Sequence, residues 1–200
     1  MFPFLNTLDR NIFNWVNQSL SNRIFDIVMP FITNQNNWFL PIILLILYLL
    51  IMGGKRGRIA LTILIITLIL TDYISAFILK PYFARIRPSH ELGDYINILV
   101  SKGGKWSMPS NHASNIVALT VILSYFYKKI KMPLYTLAIT ISFSRVYVGV
   151  HYPGDVIIGG LFGYGTAWML LTFWVILKMR ELKRGKTWVW YEKDLPENIN

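Results

Sequence analysis

Residues 59–79 read IALTILIITLILTDYISAFIL, and Lys80 follows at once. A helix needs about 20 predominantly apolar residues to cross the hydrocarbon core of a bilayer, so this stretch predicts a membrane-spanning helix. Further apolar stretches of similar length lie at residues 38–52, 113–127, 133–150 and 156–177. With their uncharged flanks or some tilt, these stretches predict four more spans. The expected fold class is all-α, a polytopic transmembrane helix bundle.

The composition agrees with a membrane protein. Hydrophobic residues make up 54% of the 200 residues and charged residues only 15%, which is too apolar for an ordinary soluble domain. The chain has no cysteine, so any chemistry must use oxygen and nitrogen groups. Its net charge of +10 comes largely from basic blocks at residues 55–58, 128–131 and 178–186. These blocks lie in alternate connections, and the positive-inside rule places all of them in the cytoplasm.

The first 37 residues follow a different pattern. Apolar residues recur there at helical spacing, but Asp9, Arg10 and Arg23 interrupt them. This pattern predicts an amphipathic helix or a pair of helices at the membrane surface, with a sixth, polar span as the alternative. We expect a single membrane domain over residues 1–200. It would comprise the amphipathic region at 1–37, a transmembrane core at 38–177 and a basic, polar cytoplasmic tail at 178–200.

Three separated segments bring cations and histidines to the ends of the apolar stretches. In the first, Lys80 ends the second stretch and Arg87-Pro88 follows. Arginine presents a planar fork to phosphate oxygens, and lysine presents a point charge. Anchoring to lipid headgroups is the alternative for a single cation at a helix end. Here both cations lie on the side of the membrane where the charge rule expects few, and this favours binding of an anion.

The second segment, Pro109-Ser110-Asn111-His112, opens the third apolar stretch. Ser110 is a residue type that caps helices, and the free N–H groups of a first helical turn attract anions. Capping alone accounts for Ser110 but not for His112. A histidine beside a bound phosphate can protonate a leaving oxygen, because its pKa lies near neutral pH.

The third segment contains Arg145, His151 and Asp155 and leads into the fifth apolar stretch. The spacing from His151 to Asp155 lets the carboxylate hold one ring nitrogen of the histidine. The other ring nitrogen would then face outward as a nucleophile, as in catalytic triads. A structural His–Asp pair that caps the helix is the alternative interpretation.

Together, Lys80-x6-Arg87-Pro88, Pro109-Ser110-x-His112 and Ser144-Arg145-x5-His151-x3-Asp155 resemble the three-part signature of the type 2 phosphatidic acid phosphatase (PAP2) superfamily, and in particular its membrane lipid phosphatases. The resemblance implies that His151 is the nucleophile, that Asp155 orients it and that His112 protonates the leaving group. Asn111 stands where many members carry glycine. The implied phosphate-binding groups are Lys80, Arg87, Ser110, Asn111 through its backbone N–H, and Arg145.

The resemblance also implies an activity, a substrate class and a location. We expect a hydrolase of phosphoric monoesters or diphosphates that works through a phosphohistidine without metal or cofactor. Undecaprenyl diphosphate is the foremost substrate, followed by phosphatidylglycerol phosphate, phosphatidic acid and lipid A 1-phosphate. The site would face the periplasm from a bacterial inner membrane, with no nucleic acid or obligatory protein partner. The alternatives are a lipid phosphotransferase of the same family and a non-catalytic protein that binds lipid phosphates.

Asp72 is a carboxylate inside the second apolar stretch. Acids within a membrane are costly, so they usually face the bundle interior and have a partner. Asp72 shares a helix face with Lys80, about 12 Å away at a rise of 1.5 Å per residue. We expect an interhelical or supporting contact from Asp72 rather than direct chemistry.

Overall fold

The computed structural model describes residues 3–191, with side chains from Asn6 onward. Within this range the chain is helical and forms no β-strand beyond an isolated bridge between Ile86 and Trp106. The α-helices are α1 Pro3–Asn14, α2 Arg23–Thr33, α3 Phe39–Leu47, α4 Gly54–Ile74, α5 Lys80–Phe83, α6 Pro88–Glu91, α7 Asn111–Phe126, α8 Lys131–Tyr147 and α9 Pro153–Lys183. The expected all-α bundle is therefore confirmed.

Three continuous helical stretches are long and apolar enough to cross a membrane. They are Gln35–Met52, which contains α3, Gly54–Phe83, which contains α4 and α5, and Pro153–Lys183, which is α9. The predicted third and fourth spans fold as α7 and α8, of 16 and 17 residues. These two helices fall short of the roughly 20 residues of a typical span, and neither is among the stretches found long and apolar enough to cross. The number of crossings stays a prediction.

The amphipathic N-terminal region folds as a pair of helices. The Asn22 side chain caps α2 by accepting hydrogen bonds from the N–H groups of Ile24 and Phe25. Helix α1 continues through a π-helical turn to Ser19. Neither this stretch nor α2, of 11 residues, is among those long and apolar enough to cross a membrane. The apolar side chains of this pair pack on the end of α8 and the segment before α9, in a cluster that includes Phe13, Val16, Met29, Tyr147 and Tyr152.

Helix α7 lies at the centre of the bundle, packed by α4, α8 and α9. Glycines on α9 allow its backbone to approach α7 very closely. A Cβ atom at Gly159 would lie 2.6 Å from the carbonyl oxygen of Ser110, and one at Gly163 would lie 2.0 Å from that of Ser114. This packing holds the first turn of α7 against the first turn of α9, where the Ser110 N–H donates to the Asp155 carbonyl at 3.0 Å.

The basic blocks lie together at the opposite end of the bundle, called here the basic end. The Arg56 guanidinium stacks on the rings of Tyr127 and Trp190, at 4.3 and 4.9 Å from their centroids. Lys55 Nζ donates to the Thr187 carbonyl at 2.6 Å. Helix α9 continues to Lys183, past the predicted end of the fifth span at residue 177. Residues 192–200 of the predicted tail lie outside the described residues.

Candidate active site

The three predicted segments meet at the end of the bundle away from the basic blocks. Lys80 begins α5, Ser110 precedes α7, and His151 lies between α8 and α9. The charges of Lys80, Arg87 and Arg145 act on both His112 and His151. The fold therefore gathers two imidazoles and three permanent cations into one site. The chemical role of each residue stays a prediction.

His151 is fully enclosed between a carboxylate and a guanidinium. Its Nδ1 lies 3.4 Å from Asp155 Oδ2, close enough for attraction although the geometry is not that of a hydrogen bond. Its Nε2 lies 3.2 Å from Arg87 Nη1. A guanidinium can only donate, so Nε2 accepts in this contact through its lone pair. The proton of the neutral ring then lies on Nδ1. That tautomer suits attack through Nε2.

The surroundings of His151 favour its neutral form. Burial lowers the pKa of His151 well below its usual value, and the positive charges of Arg87, Arg145 and Lys80 lower it further. A neutral imidazole has a free lone pair, whereas an imidazolium does not. The same cations that would attract a phosphate thus keep the histidine in its nucleophilic state.

The N-terminal helix pair also reaches the site, which the sequence did not indicate. Gln35, just after α2, places its Nε2 3.4 Å from His112 Nε2. Thr33, at the end of α2, accepts a hydrogen bond from Arg145 Nη1 through its hydroxyl. The link between α2 and α3 therefore borders the site beside His112.

Ser110 occupies the N-cap position of α7, but its side chain makes no capping hydrogen bond. This corrects the expectation that Ser110 caps the helix. Among the described residues, Ser110 Oγ and Arg145 Nε are buried polar atoms without a hydrogen-bond partner. Buried polar groups are rarely left unpaired, and such groups at a site suit a polar ligand. Both atoms belong to residues predicted to bind phosphate.

The Asn111 side chain turns away from His151 and towards α4. Its amide donates to Asp72 Oδ1 at 2.9 Å, and its carbonyl accepts from Ser75 Oγ at 2.8 Å. Asn115, one turn later, also donates to Asp72 Oδ1, at 3.0 Å. The expected interhelical role of Asp72 is therefore observed: its carboxylate ties α4 to the first turns of α7. Only the backbone N–H of Asn111 is left to serve as a phosphate ligand.

A second unanticipated contact reaches Asp155 from the segment between α5 and α6. Arg85 Nη1 donates to Asp155 Oδ1 at 2.9 Å, and Arg85 Nη2 donates to Asp9 Oδ2 at 2.5 Å. Arg85 lies close to Arg87 in the sequence, but nothing in its spacing distinguished it. The sequence distinguishes Asp9 only as a charge that interrupts an amphipathic pattern.

The arrangement can bind an oxyanion and attack it from the His151 side. Three cations, an unpaired hydroxyl and the first N–H groups of α7 provide the attraction. Within residues 3–191, no group of three or more His, Cys, Asp or Glu side chains is placed to hold a metal ion.

Similarity to solved structures agrees with this architecture. The crystal structure of LpxE from Aquifex aeolicus superimposes with a TM-score of 0.66 at 25% identity, covering 82% of this chain and 95% of that one. A transmembrane PAP2-type phosphatidylglycerolphosphate phosphatase from Bacillus subtilis also gives a TM-score of 0.66. Its identity is 23% over 86% of each chain, which shows the fold alone.

A helical bundle of membrane type with two histidines among three cations is the arrangement expected of a membrane phosphatase. The PAP2 superfamily profile matches residues 60–179, more than half of the chain, and the chain belongs to this superfamily. A lipid A 4'-phosphatase of Bacteroides thetaiotaomicron is 28% identical over 84% of this chain and 78% of its own. An undecaprenyl-diphosphatase of Bacillus subtilis is 29% identical over 68% of each. The protein is thus a PAP2-type lipid phosphatase, a hydrolase of phosphate esters or diphosphates.

Proposed function

We propose that this protein removes the terminal phosphate of a membrane lipid, without a metal ion, through a phosphohistidine at His151. The observation that carries the proposal is the buried histidine whose Nε2 faces Arg87 while its Nδ1 faces Asp155. This geometry leaves the nucleophilic lone pair directed at the group that would bind phosphate. The lowered pKa of His151 keeps that lone pair unprotonated.

In the first step, His151 Nε2 attacks phosphorus and forms a P–N bond while the bond to the leaving oxygen breaks. His112 donates a proton to that oxygen, since the charge of a bound phosphate favours protonated His112. Lys80, Arg87 and Arg145 stabilise the negative charge on the equatorial oxygens, where phosphoryl transfer needs it most.

In the second step, neutral His112 takes a proton from water as the water oxygen attacks phosphorus. The P–N bond breaks, inorganic phosphate leaves, and both histidines return to their starting states. Asp155 Oδ2 faces the Nδ1–H group throughout and stabilises the positive charge of the ring without taking its proton, as the carboxylate does in a catalytic triad.

The substrate proposal rests on the chemistry of the site and on the relatives. A lipid phosphate presents an anion at the membrane boundary, where the ends of α4, α7 and α9 meet. The relatives act on lipid A phosphate and on undecaprenyl diphosphate, so these are the first two substrates to test. We place the site on the periplasmic face of a bacterial cytoplasmic membrane. The partners that we infer are the lipid and the bilayer.

The test is phosphate release by purified protein in detergent, with and without EDTA. Lipid A, undecaprenyl diphosphate, phosphatidylglycerol phosphate and phosphatidic acid form the panel. We expect turnover with at least one lipid in the presence of EDTA, and a loss of at least about 10³-fold in the variants His151→Gln and His112→Gln. The matched control is His90→Gln, because His90 is exposed and its Nε2 forms a hydrogen bond with the Gly103 carbonyl.

Two further measurements separate the steps. Rapid quenching with a labelled substrate should trap an acid-labile phosphoenzyme in wild type and none in His151→Gln. Phosphate release without any acceptor lipid would distinguish hydrolysis from phosphotransfer. Activity that survives in His151→Gln, or that EDTA abolishes, would contradict the phosphohistidine.

A further inference from the structure

A chain of buried ion pairs runs from the N-terminal helix to the proposed nucleophile. Asp9 Oδ2 accepts from Arg85 Nη2 at 2.5 Å, and Arg85 Nη1 donates to Asp155 Oδ1 at 2.9 Å. The other oxygen of Asp155 lies 3.4 Å from His151 Nδ1. The two carboxylates therefore share one guanidinium, and only one of them faces the histidine.

All three side chains of these ion pairs are largely buried. The side chains of Asp9, Arg85 and Asp155 are 9%, 10% and 0% exposed. A buried charge that loses its partner is strongly destabilised, so each member constrains the position of the next. Asp155 Oδ2 is further fixed by the Tyr152 N–H, which donates to it at 2.8 Å.

Asp9 also binds the helix that carries Asp155. Its Oδ1 accepts from the Gly154 N–H at 2.7 Å. This N–H lies in the first turn of α9, where backbone donors have no partner within the helix. The approach is close, because a Cβ atom at Gly154 would lie 3.0 Å from Asp9 Oδ2. One carboxylate thus orients both the backbone before Asp155 and the guanidinium that holds its side chain.

We propose that Asp9 and Arg85 are positioning residues for the reaction. They act through Asp155 and set the carboxylate that orients His151. Arg85 lies two residues before a cation of the phosphate site. Asp9 lies on α1, outside the residues 60–179 that match the superfamily. The amphipathic helix α1 then carries one positioning residue for the reaction and is more than a membrane anchor. This inference rests on the proposed function of His151.

The physical reason is the division of one positive charge between two carboxylates. With Asp9 in place, Arg85 uses one η nitrogen on each acid. Without the charge of Asp9, both η nitrogens are free to pair with Asp155, and the carboxylate is drawn away from His151 Nδ1. The imidazole then loses both its orientation and the negative charge that stabilises it as it becomes positive.

The test is Asp9→Asn, which keeps an oxygen for the Gly154 N–H and removes the charge. We expect kcat for the best lipid substrate to fall by about 10-fold or more, while KM stays within about twofold. Arg85→Lys should do the same, because lysine keeps the charge but has no fork to join two carboxylates. The melting temperature, measured in detergent, reports any loss of folding.

The matched control is Arg10→Gln. Arg10 neighbours Asp9 on the same helix, pairs with Glu91 and lies 5.7 Å from the centroid of the Tyr152 ring. Its loss weakens the docking of α1 but leaves both ion pairs of Arg85 in place. We expect Arg10→Gln to lower the melting temperature and to leave kcat within about twofold. If Asp9 had only a docking role, the two variants would behave alike.

The decisive measurement is the double variant Asp9→Asn/Asp155→Asn. Residues that act through one another are not additive, so the double variant should be no slower than Asp155→Asn alone. If the losses of kcat in the two single variants multiply in the double variant, the two residues act independently. That result, or an unchanged kcat in Asp9→Asn, would overturn the inference. Absence of turnover in wild type, or full turnover in His151→Gln, would instead overturn the proposed function.

Discussion

Ser110 shows at the scale of one residue how a local motif can mislead. Its position before α7 suits a cap, yet Oγ is buried and makes no hydrogen bond in the described protein. A hydroxyl that stabilises nothing in the folded chain and costs desolvation is expected where a ligand supplies the partner. We therefore propose that Ser110 serves the binding of substrate more than the stability of the helix.

Ser110→Ala gives a direct test of this assignment. We expect the melting temperature to stay unchanged or to rise slightly, because no protein hydrogen bond is lost. An N-cap serine would instead cost about 1 kcal/mol on replacement by alanine. Phosphate release should fall, by about 10-fold for one lost hydrogen bond to a charged group. A marked drop in melting temperature would restore the capping interpretation.

His151 should make the stability of the protein depend on pH. Its pKa is lowered in the fold by burial and by the cations around it, while the unfolded chain titrates near about 6.5. Below that pH the unfolded state binds a proton that the folded state excludes, so stability is lost as pH falls. The slope can reach about 1.4 kcal/mol per pH unit.

The measurement is the melting temperature at pH 7.5 and 5.5 for wild type and His151→Gln. We expect wild type to be destabilised at the lower pH and the variant to lose part of this difference. An equal pH dependence in both proteins would mean that the pKa of His151 is the same in the folded and the unfolded chain.

At the scale of elements, the tie between α4 and α7 depends on Asp72. Its Oδ1 accepts from Asn111 and from Asn115. Hydrogen bonds between membrane helices are worth about 0.6 kcal/mol each on average, so Asp72→Ala should lower the free energy of unfolding by about 1 kcal/mol. Asp72→Asn keeps an acceptor oxygen and should lose less. If wild type, Asp72→Ala and Asp72→Asn had the same free energy of unfolding, these hydrogen bonds would contribute nothing to stability.

The close packing of α9 on α7 depends on Gly163. A Cβ atom there would meet the Ser114 carbonyl oxygen at 2.0 Å, so Gly163→Ala must push the two helices apart. We expect a clear loss of melting temperature and of phosphate release, since Ser110 and Asp155 are held by this contact. The control is Gly165→Ala, because a Cβ atom at Gly165 meets nothing within 4 Å.

At the scale of the whole molecule, the orientation in the membrane follows from the two ends of the bundle. Lys102 lies in the connection at the site end, and Lys129 lies at the basic end. The chain has no cysteine, so Lys102→Cys and Lys129→Cys each give a single thiol. In intact cells we expect a membrane-impermeant maleimide to label only the cysteine at position 102. Labelling at 129 alone would invert the proposed orientation.

Much of the fold was predictable, because the requirement for apolar spans acts on each segment separately. The helical stretches at residues 59–79 and 156–177 were predicted from hydropathy alone, and they extend by a turn or more at their ends. Helices α7 and α8 were located but are shorter than a span. Helix α7 is covered by its neighbours in the bundle, and composition does not report that.

The three-part signature predicted which residues meet at the site, since each segment lies next to the end of a helix. It did not predict Asp9, Thr33 or Gln35. These residues come from the N-terminal pair, whose docking depends on the packing of Phe13 and Met29 against Tyr152 and Tyr147. Docking of this kind depends on the fit between two surfaces, and no regular spacing of residues in the sequence predicts that fit.

The amino-acid sequence by itself determined a helical membrane protein with histidines and cations at one end, because hydropathy and residue chemistry are local properties. Only the tertiary structure decided which groups face one another. It turned Asn111 to Asp72, left Ser110 Oγ free, and joined Asp9 to Gly154 across 145 positions of the chain. The reason is physical: hydrogen bonds and ion pairs of buried side chains depend on distances of a few ångströms, which helix packing sets.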